Sequence, residues 1–260
     1  MKIEKLSKTK NKSVFLIKGI KNSIANAIRR SVYEIPILAI DSVEFYKNDS
    51  ALYDEIIAQR LGLIPLKGDL KTFKRQENCS CEGKGCNKCI VSLKLKAKGP
   101  GTIYASELKG KGFEVIYPQM PIVVLAQDQE LEFVADAKLG MGKEHAKFTP
   151  GILWFNAYPT VEISKECNSC GECIKTCPQK AISLQGNKII IDPNKCDLCG
   201  ACVEKCNNLK KAIKINASEE DFIFYIETFG QISSEEILIE SVNALNENIR
   251  ELSKKLEKSK

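Results

Sequence analysis

The chain has 260 residues, 43% of them hydrophobic and 28% charged, which is room for two or three domains of ordinary size. That composition reads as a soluble, globular chain, and no apolar run approaches the ~18 residues that a membrane-spanning helix requires. The formal net charge of +6 is mild for this length and argues against a basic nucleic-acid groove; stretches such as Lys67, Lys71, Lys74 and Arg75, or Lys94, Lys96 and Lys98, read as solvated faces. The opening residues MKIEKLSKTK are basic but lead into no apolar stretch, so no secretory leader is predicted and a cytoplasmic location is expected.

In chain order, Val14 to Ile17 is a short apolar strand. Asn22 and Ser23 are helix N-cap candidates, and Ile24, Ala27, Ile28 and Val32 then recur at helical spacing to build one apolar face. Pro36 stops that helix, and Ile37 to Phe45 resumes as strand. Residues from about 47 to about 160 hold a first cysteine group, glycine-rich turns and strands such as Val91 to Leu95, with a polar loop from Gly140 to Pro150. Residues 161 to 216 are internally repeated: Cys167, Cys170, Cys173 and Cys177 recur 29 residues on as Cys196, Cys199, Cys202 and Cys206. Between the two runs, Gly186-Asn187 separates apolar stretches as a hairpin turn does. Phe222 to Ile226 reads as a buried strand. Ser233 and Glu236 then form a capping box for a long helix whose seam is Leu238, Val242, Leu245, Ile249, Leu252 and Leu256.

The twelve cysteines carry the chemistry. An even count invites a disulfide framework, but the spacings are tight and the chain is large, so metal ligation is expected. Cys167-x2-Cys170-x2-Cys173-x3-Cys177-Pro178 is the bacterial ferredoxin run. Three cysteines on a tight loop face three corners of one cubane, and the fourth points away to the other cluster. Cys167, Cys170, Cys173 and Cys206 are therefore expected to hold one [4Fe–4S] cluster, and Cys196, Cys199, Cys202 and Cys177 a second. The second run ends in Asn207 where the first has proline. Cys79, Cys81, Cys86 and Cys89 form a different group, four soft ligands on one knuckle with Gly83 and Gly85 at the turn. That set suits a closed tetrahedral Zn²⁺ site of structural type, with a further iron–sulfur centre as the alternative. No catalytic constellation accompanies them. The single histidine, His145, sits among charges as a surface residue. Asp41, Asp49, Asp54 and Asp69 are scattered, and there is no phosphate-binding loop or dinucleotide fingerprint.

Three stretches carry a family resemblance: Asn22 to Arg30, Asp54-Glu55-Ile56-Ile57-Ala58-Gln59-Arg60-Leu61-Gly62-Leu63-Ile64-Pro65-Leu66, and Gly140 to Phe148. They resemble the assembly subunits of DNA-directed RNA polymerase, a family that comprises the archaeal alpha-like chain, its eukaryotic counterpart and the bacterial alpha N-terminal domain. The two-cluster insertion is similar to that of some archaeal members. The cysteine knuckle is similar to that of the eukaryotic counterpart, with one residue more between its second and third cysteines. The resemblance implies an α+β chain in three parts. Residues 1–46 and 217–260 would form an alpha-subunit-like dimerisation domain. Residues 47–160 would form an inserted, mainly β middle domain with the knuckle at 79–89, and residues 161–216 a ferredoxin-like domain. It also implies a heterodimer with a small subunit L, which scaffolds the large catalytic subunits of a nucleotidyltransferase. No catalytic residue, membrane contact or direct nucleic-acid contact is expected in this chain. The alternative is an electron-transfer subunit of an oxidoreductase, for which the cysteine repeat alone argues.

Overall fold

The computed structural model describes residues 1–68, 72–207 and 211–259, so Asp69 and Lys71 lie outside it. The chain begins with strands β1 (Lys2–Lys8) and β2 (Lys12–Lys18), then helix α1 (Asn22–Ser31), strand β3 (Ile37–Asn48) and helix α2 (Asp54–Gly62). Strands β4 (Leu66–Lys67), β5 (Ile90–Lys98), β6 (Gly101–Tyr104), β7 (Lys109–Gly110), β8 (Glu114–Val115), β9 (Pro121–Leu125), β10 (Glu130–Gly140) and β11 (Gly151–Ile163) follow. The cysteine repeat contains helix α3 (Glu172–Thr176), hairpin strands β12 (Ile182–Gln185) and β13 (Lys188–Ile191), and helix α4 (Ala201–Asn207). The long strand β14 (Ile213–Thr228) and helix α5 (Ser234–Lys258) complete the described residues. They form two compact units, Met1–Arg29 with Leu153–Ile226 and Arg30–Ile152 with Glu227–Lys260.

In the first unit the strands run in the order β1-β2-β14-β11. Strand β2 buries Phe15, Leu16 and Ile17, and β14 buries Phe222, Ile223, Phe224 and Ile226. Alternation along the strands sorts the aromatics by face. Phe155 meets both Phe222 and Phe224 at ring separations of 5.4 Å, and Trp154 stacks on Tyr225 at 5.4 Å. Farther along the same strand pair, the Ser164 amide donates to the Ala212 carbonyl at 2.9 Å, and Thr160 Oγ1 donates to the Asn216 carbonyl at 3.1 Å. The chain thus leaves on β11 and returns on its neighbour β14, which brings the ends of the cysteine repeat together.

Helix α1 differs from its sequence pattern. Its buried apolar residues are Ala25 and Ile28, continued by Val32 just beyond the helix, whereas Ile24 is 48% exposed. Steps of three and four from Ala25 to Val32 make a cleaner stripe than one that starts at Ile24, and the small Ala25 allows close approach. Nor does the N-cap position fall at Asn22 or Ser23. The Lys21 carbonyl accepts from the amides of Ile24 and Ala25, so the helical turn begins one residue earlier.

The second unit is built on the sheet β3-β10-β5-β7. Strand β10 is antiparallel to both β3 and β5 and alternates along its length, turning Leu131, Phe133, Ala135, Ala137 and Leu139 inward. These pack with Val91, Leu93 and Leu95 of β5 and with Ile57 and Leu61 of α2. On the other face of the sheet, Lys96 lies opposite Glu132 and Lys98 opposite Glu130, with nitrogen–oxygen separations of 2.7 and 3.5 Å. Two lysines of one basic stretch are therefore halves of cross-strand ion pairs. Asp41 is likewise engaged, with Lys138 and Lys147 each at 2.7 Å. Burial pushes its pKa up, but the hydrogen bonds and charges of the two lysines outweigh this and hold it below the usual carboxylate range.

Helix α5 carries the expected capping box at Ser233 and Glu236. Its apolar seam divides. Leu238 is buried with Ile237 and Ser241, and Val242 and Leu245 are half-buried. Ile249, Leu252 and Leu256 are 54%, 58% and 58% exposed, so the last three turns bring an apolar stripe to the surface of the chain.

Phe133 is 1% exposed at the centre of the second unit. Phe133→Ala is expected to lower unfolding stability by ~3–5 kcal/mol, the usual cost of emptying a core aromatic site. Denaturant titration measures it, and a loss under ~1 kcal/mol would show that the inner face of β10 is not the core.

Candidate metal centres

The knuckle lies between a 3₁₀ turn at Gln76–Asn78 and the start of β5. Left-handed backbone at Glu82, Gly83 and Gly85 turns the chain, and Gln76 Nε2 donates across it to the Gly83 carbonyl at 2.7 Å. The turn brings four sulfurs together. Cys79 and Cys86 Sγ are 3.6 Å apart, Cys81 and Cys89 3.6 Å, and Cys86 and Cys89 3.9 Å, with all four within 4.8 Å of one another. A tetrahedron of sulfurs ~2.3 Å from a central ion has edges of about 3.8 Å, so the donor set fits one small soft cation. The electrostatics agree. A backbone hydrogen bond from Cys81 draws the Cys79 thiol down to about 7, whereas burial pushes Cys89 up to about 12. Four thiolates at such separations repel one another and need a cation among them.

The cysteine repeat folds as two matching halves. Ser169 and Leu198 have φ of 54° and 62°, and Gly171 and Gly200 both have φ of 77°. Each loop therefore reverses twice between its first and third cysteines, a path that favours glycine at the second reversal. The short helices differ where the sequences differ. Helix α3 ends before Cys177, which is extended because Pro178 follows it. Without that proline, α4 runs on through Cys206 to Asn207.

Each half forms a small cavity. One is lined by Cys167, Cys170, Cys173 and Cys206. The other is lined by Cys177, Cys196, Cys199 and Cys202. The last cysteine of each run thus lies with the first three of the other. Ile189 and Ile213 complete the first wall, and Ile182, Ile191 and Ile215 the second. Among the described residues only the knuckle gathers such ligand atoms within 4.8 Å, so the cysteines of the repeat are spaced more widely than those of a single-ion site.

Two contacts here have no sequence signal beyond the repeat itself. The Ala181 amide donates to Cys177 Sγ and the Ala212 amide to Cys206 Sγ, both at 3.3 Å, and backbone donors of this kind stabilise thiolate. Burial raises the pKa of Cys173 and Cys196, and lifts Cys202 to about 11. Tyr225 is also raised, first by burial and then by the negative charges of Asp197 and Cys196. His145 is exposed and acts locally, its Nδ1 accepting from the Lys147 amide at 3.1 Å. Arg75, just before the knuckle, pairs with Glu77 at 3.0 Å and with Glu144 of the loop after β10. Sequence periodicity gives no hint of that tie.

Comparison with known proteins places both regions. A model of the RNA polymerase Rpb3/RpoA insert domain matches residues 37–154, and one of the 4Fe-4S dicluster domain matches residues 160–207. A DNA-directed RNA polymerase subunit Rpo3 from Methanothermobacter thermautotrophicus is 40% identical, covering 97% of each chain. This chain belongs to the Rpo3 family. Its relatives of the same name from Archaeoglobus fulgidus and Pyrococcus horikoshii are 34% and 36% identical, covering 98% and 92% of this chain and 97% and 91% of their own. Family membership spans both units, so the dicluster segment belongs to a polymerase subunit, and the reading as an oxidoreductase subunit is not favoured.

Because the knuckle thiols must lose protons to bind a cation, metal uptake there is expected to release protons. Calorimetric titration of the metal-free chain in buffers of differing ionisation enthalpy measures the release. Cys86→Ser should abolish stoichiometric uptake while the far-ultraviolet circular dichroism of the sheet persists. Full uptake by that variant would remove Cys86 from the ligand set.

Proposed function

We propose that this chain is the alpha-like assembly subunit of an archaeal DNA-directed RNA polymerase, working in the cytoplasm. It pairs with a small subunit of the L type, and the pair supports the large subunits that carry out nucleotidyl transfer. Its own role is structural. The observation that carries this reading is the exposed end of α5. Ile249, Leu252 and Leu256 form an apolar stripe that the chain itself does not cover. Covering each side chain is worth roughly 1.5–3 kcal/mol, enough together to favour a stable partner.

The proposed division is residues 1–46 with 217–260 for dimerisation, 47–160 for the inserted domain and 161–216 for the ferredoxin-like domain. The sheet order β1-β2-β14-β11 supports the first of these, since it joins strands from both ends of the chain. The insert-domain match over 37–154 and the dicluster match over 160–207 support the other two.

For cofactors, we propose one [4Fe–4S] cluster on Cys167, Cys170, Cys173 and Cys206, and another on Cys177, Cys196, Cys199 and Cys202. Cys79, Cys81, Cys86 and Cys89 would hold Zn²⁺. The clusters supply thiolate–iron bonds to a segment with little apolar core, and the protein supplies the cavities and the amide donors at Cys177 and Cys206. Cys206→Ser is expected to damage mainly the cluster of Cys167, Cys170 and Cys173, although it lies in the second run. Iron and sulfide analysis with electron paramagnetic resonance reads this out, and selective loss at Cys196, Cys199 and Cys202 would refute the crossed pairing.

The partner interface is tested by Ile249→Asp with Leu252→Asp. Both positions are more than half exposed in the chain alone, so its own fold should survive. Co-purification with the small subunit should be lost while cluster absorbance stays unchanged. Wild-type pairing by the double variant would exclude this stripe from the interface.

A further inference from the structure

The two halves of the cysteine repeat match in almost every property that tunes a bound cluster. Cys170 and Cys199 are exposed, and Cys173 and Cys202 are buried. Each cavity has one matched amide-to-sulfur hydrogen bond at 3.3 Å. Solvent access and hydrogen bonding to sulfur therefore nearly cancel between the halves. Charge does not. The 29-residue shift that superimposes the runs carries Asn168 onto Asp197. Each of these two residues lines its own cavity, between the first and second cysteines of its loop.

Asp197 is held firmly. Its Oδ1 accepts from the Cys199 amide at 3.2 Å, and its Oδ2 accepts from Gln179 Nε2 at 3.0 Å. Both donors are neutral, and no lysine or arginine among the described residues pairs with the carboxylate. The first cavity has a carboxylate of its own, Glu172, but Lys175 Nζ lies 2.7 Å from its Oε1 and offsets its charge. The same shift carries Glu172 and Lys175 onto Ala201 and Glu204, so Lys175 has no counterpart in the second half; it also carries Glu166 onto Lys195, but the Lys195 ammonium lies 3.8 Å from Asp192 and does not pair with Asp197.

We infer that Asp197 splits the reduction potentials of the two clusters. The cluster of Cys177, Cys196, Cys199 and Cys202 is the harder to reduce, and a low-potential one-electron donor reduces that of Cys167, Cys170, Cys173 and Cys206 first. The physical cause is Coulombic. Reduction adds one negative charge to a cluster and forms or breaks no bond, so a fixed carboxylate in the wall opposes it. This inference rests on the reading that both cavities hold [4Fe–4S] clusters.

The test is an anaerobic potentiometric titration of the full chain with dithionite, followed by electron paramagnetic resonance, with iron and sulfide measured on the same samples. The wild type should show two midpoints. Asp197→Asn removes the charge and keeps a carbonyl acceptor for the Cys199 amide, while Gln179 must turn its own amide so that its oxygen accepts from the new Nδ2. It should raise the lower midpoint, favouring that reduction about tenfold, ~59 mV for one electron, and leave the upper one in place. Asn168→Asp provides an independent arm and should lower the upper midpoint. With full iron and sulfide, a single unsplit wild-type midpoint, or midpoints that ignore both substitutions, would overturn the inference and leave the cluster assignment standing. Wild-type protein that binds no iron or sulfide under anaerobic reconstitution would overturn both.

Discussion

Cysteine sulfur gathered where little apolar core surrounds it is the constraint on which the cysteine-rich parts of this protein depend. In the repeat, the buried set beneath the cavities is Ile182, Ile189, Ile191 and Ile213, together with Cys173 and Cys202 themselves. So small a cluster offsets little of the conformational entropy of the loops around it. The sulfurs of Cys173 and Cys202 are themselves part of that core. The knuckle follows the same logic at smaller scale, with Cys79 and Cys89 buried and Cys81 and Cys86 half-buried. Both regions fold around chemistry that apolar packing alone does not replace.

Ordinary packing carries the rest. Strand β10 supplies an alternating inner face to a sheet that buries some of the largest side chains of the second unit, and it needs no metal to do so. In the first unit, pairing of β11 with β14 does two jobs. It extends the sheet, and it fixes where the cysteine repeat leaves and rejoins the scaffold. A change in the repeat therefore reaches the scaffold through a strand pair rather than through a flexible tether. For an assembly subunit, that connection joins the cluster-bearing segment to a sheet containing strands from both chain ends.

Spacing is the most legible feature of the sequence. The cysteine intervals alone predict two cluster sets exchanging their last ligands, and the cavities group the same cysteines. The strands at β2, β3, β5 and β14 and the capping box of α5 are also readable, because their signals are local. The apolar stripe of α1 is not. Ile24 and Ala25 both fit a helical period, and only packing selects the smaller. Asp41 reads as one of a scattered set of aspartates, yet it pairs with lysines at positions 138 and 147, far along the chain.

Sequence by itself determined the donor atoms, the repeat that makes two equivalent loops, and the charge difference between Asn168 and Asp197. These are properties of residue type and interval, which survive in an unfolded chain. Tertiary structure decided which surfaces are left over. The seam of α5 is continuous in sequence from Leu238 to Leu256, but the chain covers its first turns and leaves Ile249, Leu252 and Leu256 exposed. Arg75 meets Glu144 only because the fold brings the approach to the knuckle beside the loop after β10. A helical period records which residues share a face. How much of that face the chain can cover depends on elements distant in sequence, and no local pattern encodes their position.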